Sequence, residues 1–375
     1  MRIGINALYL LPGKVGGSET YIRNLVRWLP EAEGRNSYTV FVNNESSGVF
    51  KASSRVEVVD CGINAENRPK RILWEQTRLP MEAKRRKLDC LLSAGMTAPF
   101  VSTVPSFVVI YDLQHVNQPE NFGALYLLFL KSIIYMSAKR SRGVITLSEK
   151  SKKDIVSVYG IRAEDVGVTY LACDTDAFRK RTKAEIAGVR AKYRLPERFI
   201  LYSASSLPHK NYQRLLEAFR IVKGKDASIK LVLTGARDYG QEAILGKIES
   251  LGLKDDVVFL GWLPFEDMPV IYSAAELYVF PSLHEGFGIP VLEAFASGVP
   301  VVCSKIEPVT EVAASAAFYI DPMSAEDIAG GILKVLGDKA MRERLALLGS
   351  RRASEFSWKK TAIDTLAIIE RSLAR

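Results

Sequence analysis

Two glutamates stand eight positions apart in the stretch "HEGFGIPVLEA", with a Gly-Phe-Gly turn and a proline between Glu285 and Glu293. Such a pair could be a catalytic dyad, a metal site or an ordinary helix start. If the stretch were wholly helical, the pair would span roughly 12 Å, because a helix rises about 1.5 Å per residue. Glycosidase carboxylates lie about 5 to 9.5 Å apart across one bond. The spacing therefore favours two carboxylates that hold different ends of one elongated ligand.

The segment around the glutamates predicts a strand, a loop and a helix. The apolar run "LYVFPS" is typical of a buried strand, the proline suits a first helical turn, and Gly298 suits a helix end. A helix N-terminus attracts phosphate through its backbone N–H groups. Those N–H groups would belong to Gly286, Phe287, Gly288 and Ile289. The alternative is that Glu285 is solvated and Glu293 makes only local contacts.

Two further strand ends carry polar side chains that could meet a ligand. In "SASSLPHKN", Lys210 would begin a helix beside a strand end, where a cation can face a diphosphate. In "FVVIYDLQHV", Asp112 and His115 could meet a sugar or acceptor hydroxyl. The alternatives are a surface lysine, an aspartate that caps a turn and a histidine that packs inside.

The remaining candidates are a glycine loop and a carboxylate pair. "GKVGGSETY" places Gly16 and Gly17 between the first strand and a helix, but it lacks the GxGxxG dinucleotide pattern. "CDTD" has the DxD spacing of some metal sites at Asp174 and Asp176, yet it falls in a predicted domain linker. We expect no metal there, and we expect His284 to be a loop residue.

Short apolar runs rich in Val, Ile and Phe recur along the chain, each followed by a helical pattern. Runs without polar alternation are typical of parallel strands buried on both faces. This alternation of strand and helix patterns is interrupted by a polar segment that ends near Pro196, and it resumes with "FILYSAS" and "IKLVLTG". The pattern predicts an α/β protein with two doubly wound, Rossmann-like domains, 1–174 and 175–355. A terminal amphipathic helix, 356–375, follows.

Composition excludes several classes of protein. The 375 residues exceed one ordinary core, and 48% hydrophobic with 25% charged residues indicates a folded chain. The formal charge of +9 suits phosphorylated ligands or an anionic membrane, while no nucleic-acid module is recognisable. Four scattered cysteines predict a reduced, cytoplasmic setting. The apolar segment 122–140 is too short and interrupted to span a bilayer, so peripheral contact through it and through the basic run 82–87 stays open.

These motifs, in this order, resemble those of the retaining GT-B glycosyltransferases of family 4. The resemblance to the E-x7-E motif implies that Glu285 contacts the donor sugar and Glu293 the nucleotide ribose. Lys210 matches the lysine that neutralises the leaving diphosphate, whereas Ser205 stands where the family has an arginine. The glycine loop would bring amides toward the donor phosphates and the acceptor. Members of the family often have, at the place of Tyr111, a histidine that lies near the reacting sugar. In this chain that role falls to His115 or is absent.

The resemblance implies a fold and a function. We expect two domains facing a cleft, with the C-terminal helix crossing back to the first. We expect transfer of a sugar, with retention and without a metal or cofactor, from a nucleotide-diphosphate donor to a glycan or lipid-linked glycan acceptor in O-antigen or similar surface polysaccharides. GDP-mannose is the favoured donor and UDP-sugars are the alternative, with the base bound by 234–263. Rival functions are a sugar-nucleotide epimerase of the same architecture and a non-catalytic sugar-nucleotide-binding protein.

Overall fold

A computed structural model describes residues 1–235 and 240–375, which divide into two compact units. The first unit comprises Met1–Leu171 and Trp358–Arg375, and the second comprises Ala172–Ser357. The domain limits predicted from the sequence, 174 and 355, lie within a few residues of these divisions.

The first unit is built on a seven-stranded parallel sheet with the order β3-β2-β1-β4-β5-β6-β7. Its strands are β1 (Arg2–Asn6), β2 (Ser37–Val42), β3 (Val56–Asp60), β4 (Cys90–Ser93), β5 (Ser106–Val109), β6 (Gly143–Thr146) and β7 (Val166–Val168). Its helices before the second unit are α1 (Gly17–Ala32), α2 (Arg68–Arg85), α3 (Gln114–Asn117), α4 (Ala124–Arg140) and α5 (Glu149–Tyr159).

The second unit is built on a six-stranded parallel sheet with the order β10-β9-β8-β11-β12-β13. Its strands are β8 (Phe199–Ser203), β9 (Lys230–Thr234), β10 (Val257–Gly261), β11 (Leu277–Phe280), β12 (Val301–Ser304) and β13 (Phe318–Ile320). Its helices are α6 (Lys183–Tyr193), α7 (Tyr212–Lys223), α8 (Gln241–Ser250), α9 (Met268–Ala274), α10 (Ile289–Ala296), α11 (Val309–Ala313), α12 (Ala325–Gly337) and α13 (Lys339–Ala353).

Both sheets confirm the predicted fold class of two Rossmann-like α/β domains. Every residue of β4, β5, β11 and β12 is buried, as expected for parallel strands covered by helices on both faces. In each sheet the strand order reverses beside the first strand, so a topological switch point lies between β1 and β4 and another between β8 and β11. Open α/β sheets bind ligands at the carboxyl ends of strands at such points.

The C-terminal helix α14 (Trp358–Leu373) belongs to the first unit, as predicted. It packs against α1, and its Thr361 Oγ1 donates to the carbonyl oxygen of Tyr170 at 2.6 Å. Ala362, Leu366 and Ile369 recur at helical spacing and are fully buried. The predicted apolar stripe therefore covers the first domain, although it lies at the far end of the sequence.

Candidate functional site

Two loops meet at the switch point of the second unit. Residues 204–211 follow β8 and residues 281–288 follow β11, and the two strands are parallel neighbours. Their carboxyl ends therefore lie at the same edge of the sheet. The backbone N–H of Leu283 donates to the carbonyl oxygen of His209 at 2.8 Å, which joins one loop to the other.

Lys210 and Glu285 are brought together by these loops. Lys210 Nζ donates to Glu285 Oε1 at 2.7 Å, and the two side chains are only 16% and 10% exposed. Lys210 Nζ also lies 6.0 Å from the centre of the Phe280 ring. A charge pair this sheltered is screened less by water and salt than a surface pair. The site thus holds a cation and a carboxylate ready to exchange partners with a charged ligand.

Asn211 holds the lysine loop in place. Its backbone is left-handed at φ 62°, a conformation that asparagine tolerates better than most residues. Its Nδ2 donates to the carbonyl oxygens of Pro281 and Pro322 at 2.9 and 2.7 Å. Sequence analysis missed this residue, and the only signal was an Asn directly after the candidate lysine. Asn211 is a positioning residue because it acts through Lys210.

The predicted anion site is the N-terminus of α10. The helix begins at Ile289 with Pro290 in its first turn, and Gly288 at φ 110° precedes it without a side-chain cap. The first N–H groups of a helix have no partner within the helix, so Gly286 and its neighbours lie where an anion can be bound. The Phe287 ring is 3% exposed and meets Phe356 edge-on, which leaves only its backbone for a ligand.

Glu293 lies within α10, whereas Glu285 precedes the helix, as the sequence indicated. Burial raises the pKa of Glu293 to about 7, against the opposing effect of the nearby Tyr272 hydroxyl. A carboxyl group that is partly protonated at neutral pH can donate as well as accept hydrogen bonds. The two glutamates occupy different elements, which suits two separate contacts better than one shared dyad.

Ser205 lies in the loop after β8 and is partly buried. Next to it, the backbone of Gly235 at φ 151° passes so close that a Cβ there would lie 1.7 Å from the oxygen of Ala204. Only glycine fits at this point. Sequence analysis did not single out Gly235, although a glycine directly after a buried strand is a signal of close backbone approach. The predicted base-binding segment 234–263 includes 236–239, which lie outside the described residues.

In the first unit the glycine loop precedes α1. Gly16 has φ 57° and is the N-cap of the helix, which starts at Gly17. The loop is anchored through Tyr9, whose hydroxyl donates to the carbonyl oxygen of Ser18 at 2.9 Å. The same hydroxyl lies 3.1 Å from the hydroxyl of Tyr111. Tyr111, at the place of the family's histidine, is thus part of a structural network.

Asp112 and His115 both follow β5, but their side chains have different surroundings. Asp112 Oδ1 accepts the backbone N–H of Gln114 at 3.0 Å, as a turn cap would. His115 is 3% exposed, its Nε2 lies 2.8 Å from the Tyr159 hydroxyl, and burial lowers its pKa to about 4. The imidazole is therefore enclosed in the first unit, which favours the packing interpretation of His115 over the catalytic one.

In "CDTD", the Asp174 carboxylate caps a local turn. Asp174 Oδ1 accepts the backbone N–H groups of Asp176 and Ala177 at 3.1 and 3.0 Å. Among the residues described, no group of three or more His, Cys, Asp and Glu side chains is placed to hold a metal ion. His284 meets His209 edge-on, with ring centres 6.5 Å apart.

The surface of α4 is unusually apolar. Leu125, Leu128 and Phe129 are 87%, 65% and 45% exposed. Within 1–235 and 240–375, no helix is long and apolar enough to cross a membrane. In the basic run 82–87, Arg86 forms ion pairs with Glu57 and Glu82. Part of the positive charge of this run is therefore neutralised by acidic residues of the same chain.

Two family models match the chain. "Glycosyltransferase Family 4" covers residues 15–177, and "Glycosyl transferases group 1" covers residues 189–349. Each match falls largely within one of the two units.

Curated relatives include O-antigen chain mannosyltransferase B of Escherichia coli, 31% identical over 258 residues, which are 68% of this chain and 68% of that protein. O-antigen chain mannosyltransferase RfbU of Salmonella typhimurium is 28% identical over 250 residues, which are 66% of this chain and 65% of that protein. The chain belongs to the family 4 glycosyltransferases, and it is a glycosyltransferase.

Solved structures agree with the fold. Sucrose-phosphate synthase from Thermosynechococcus elongatus is similar over 100% of this chain and 99% of its own, with a TM-score of 0.80 at 19% identity. Anabaena HepE in complex with UDP-glucose is similar over 100% of both chains, with a TM-score of 0.75 at 20% identity. At these identities the likeness concerns the GT-B fold.

Proposed function

We propose that the enzyme moves mannose from GDP-mannose to a hydroxyl of a glycan or lipid-linked glycan acceptor in the synthesis of a bacterial surface polysaccharide. Retention of the anomeric configuration and independence of metal and cofactor are part of the proposal. The observation that carries it is the sheltered Lys210–Glu285 pair beside the N-terminus of α10. The O-antigen mannosyltransferases among the relatives support the choice of sugar and pathway.

The donor diphosphate would bind between Lys210 and the backbone amides of 286–289. Negative charge grows on the diphosphate as the bond to the sugar breaks, and preorganised donors aimed at that charge are a major source of catalysis. Binding would draw Lys210 from Glu285 to the phosphate. Glu285 would then accept hydrogen bonds from hydroxyl groups of the sugar. Glu293 would hold the ribose, for which a carboxyl with a pKa near 7 supplies both donor and acceptor.

Retention follows if the acceptor attacks on the face from which the diphosphate leaves. The acceptor oxygen forms a bond to the anomeric carbon, and the bond from that carbon to the phosphate oxygen breaks. The acceptor proton passes to an oxygen of the leaving diphosphate, so no enzymic base is needed. Ser205 supplies no cation, which leaves Lys210 and backbone amides to stabilise the leaving group. Gly16 and Gly17 would serve the acceptor side, with Asp112 as a polar contact.

The reaction would take place in the cytoplasm, with peripheral attachment to the inner face of the plasma membrane. Two observations support this attachment. Exposed apolar side chains are concentrated on α4, and Lys139 and Arg140 occupy its last turn. Apolar insertion combined with basic charge is how surface helices bind anionic membranes.

The test is a thermal-shift and turnover screen of GDP-mannose, other GDP-sugars and UDP-sugars. A ligand that binds only the folded state raises its melting temperature by mass action. We expect GDP-mannose to stabilise the protein and to be consumed, including when EDTA is present. A response to UDP-sugars alone would refute the mannose assignment, an isomerised donor would indicate an epimerase, and binding without turnover a non-catalytic protein.

A further inference from the structure

A cavity of about 820 Å³ lies in the first unit between α2 and α4. Part of its lining follows β1, at Tyr9, Leu11 and Val15, and part follows β4, from Gly95 to Thr97. The cavity therefore occupies the switch point of the first sheet, beside the glycine loop. Its volume lies within the range of about 300–1,000 Å³ that is usual for small-molecule sites.

The polar side of the cavity contains a buried arginine with an uncommitted donor. Arg71 is 9% exposed, and its Nη1 lies 3.5 Å from Glu75 Oε1. Within the described part of the chain, its Nε has no hydrogen-bond partner. Burial raises the pKa of Glu75, which weakens the compensation of the arginine's charge. The cavity wall thus contains a buried and incompletely paired cation, which a bound anion would neutralise.

A second cation lies at the rim. Arg68 Nη1 donates to the Tyr126 hydroxyl at 2.7 Å, and its guanidinium carbon lies 5.4 Å from the centre of that ring. Both residues line the cavity and are exposed. Arg68 is therefore held by its aromatic neighbour, and it stands three residues before Arg71 in α2, so both arginines of the lining can contact one anion.

The other walls are mostly apolar from the rim to the interior. Leu73 and Phe129 line the cavity and are 64% and 45% exposed, whereas Ile133 and Ile134 line it and are at most 5% exposed. Large apolar side chains left in water at the mouth of an apolar cavity indicate a binding surface. Two arginines with apolar walls complement a molecule that has an anionic head and a hydrocarbon chain.

We propose that this cavity binds the phosphate and the first part of the hydrocarbon chain of a lipid-phosphate acceptor. The proposal rests on the proposed function, since it assigns the acceptor of that reaction to the lipid-linked class. The anionic head would contact Arg68 and Arg71, and the chain would lie inside the cavity against Phe129, Ile133 and Ile134. The glycan attached to the phosphate would extend along the glycine loop that precedes α1.

The test measures the affinity of the full-length protein for dodecyl phosphate below its critical micelle concentration, with methyl phosphate and dodecyl maltoside as partial mimics. We expect dodecyl phosphate to bind at least tenfold more tightly than either. Phe129→Glu, which places a charge at the mouth, should weaken binding at least tenfold. Leu128→Glu is the matched control, because Leu128 is exposed on the same helix but is not part of the lining. Its affinity should stay within twofold of the wild type.

Equal losses in the two variants would assign the effect to the helix surface and overturn the proposal, as would absence of binding to the wild type. Vesicles of anionic lipid provide the other contrast, since binding to vesicles but not to monomeric dodecyl phosphate would indicate a membrane surface instead. If the wild type binds GDP-mannose but not dodecyl phosphate, only this proposal fails. If dodecyl phosphate binds as expected but no nucleotide sugar does, it is the proposed function that fails.

Discussion

Lys210 and Glu285, 75 residues apart in sequence, lie with Nζ and Oε1 2.7 Å apart in side chains that are 16% and 10% exposed. The pair joins the loops after two neighbouring strands at the switch point of the second sheet. The cation proposed to bind the diphosphate is thus neutralised by the carboxylate proposed to bind the sugar. Under that proposal, donor binding and rearrangement of this pair are one event.

Removal of either member should damage both catalysis and stability. Lys210→Met should lower kcat/KM for transfer by about 10²–10³, the cost of losing one preorganised donor to a developing negative charge. It should also lower the free energy of unfolding by about 1–3 kcal/mol, because Glu285 loses its partner. Steady-state kinetics and urea unfolding measure the two effects.

The double variant Lys210→Met/Glu285→Gln separates the two roles. It should regain part of the lost stability, since no unpaired charge remains, while transfer stays impaired. Recovery of transfer in the double variant would show that the lysine is needed only to pair with the glutamate.

Asn211 offers a test of positioning. Asn211→Gly keeps the left-handed backbone but leaves two buried carbonyl oxygens without donors, at a cost of about 1–3 kcal/mol. Asn211→Ala adds backbone strain of about 1–2 kcal/mol. We therefore expect stability in the order Asn, Gly, Ala, with kcat/KM falling in the same order as the Lys210 loop loosens. Equal stabilities of the Gly and Ala variants would contradict the proposed strain.

Gly288 tests the anion site at α10. Gly288→Ala should cost about 1–3 kcal/mol, because φ 110° is unfavourable for a residue with a Cβ. The strained turn should displace the amides and weaken binding of the nucleoside diphosphate, measured by calorimetry. Gly246→Ala is the control, since a Cβ there has open space and alanine favours the interior of α8. That variant should be as stable as the wild type or slightly more stable.

Glu293 should give the protein a pH-dependent stability. Its folded pKa, about 7, is above its ordinary value of 4.5, so its contribution is full below pH 4.5 and is lost as pH rises to 7. Each pH unit in that window costs about 1.4 kcal/mol, which amounts to about 3 kcal/mol in all. Glu293→Gln should therefore gain stability over the wild type between pH 4.5 and 7 and keep a constant difference above it. Parallel curves for the two proteins would mean that the carboxyl is not perturbed.

Much of the fold could be predicted because buried parallel strands have a simple signature. Runs such as "LYVFPS" and "PVVCS" lack polar alternation, and the corresponding strands β11 and β12 are buried throughout. The start of α10 was equally accessible, since Pro290 marks a first helical turn. The apolar pattern of a strand and the first turn of a helix are determined by residues that are neighbours in sequence, so both features could be predicted.

The remaining features depend on partners that are distant in sequence and carry no motif. Asn211 binds backbone carbonyls of Pro281 and Pro322, and a carbonyl acceptor has no sequence signature. His115 was a reasonable candidate at a strand end, but its enclosure against Tyr159 depends on the packing of α5. Burial of single polar residues is therefore where sequence reasoning was weakest.

Retaining transfer from a nucleotide-diphosphate sugar is tested most directly by the anomeric configuration of the product, determined by NMR. With GDP-α-mannose and a glycan acceptor, the one-bond carbon–hydrogen coupling of the new linkage should be that of an α-mannoside. A β-mannoside would contradict the front-face mechanism. Release of an epimerised nucleotide sugar without any new linkage would contradict glycosyl transfer at this site.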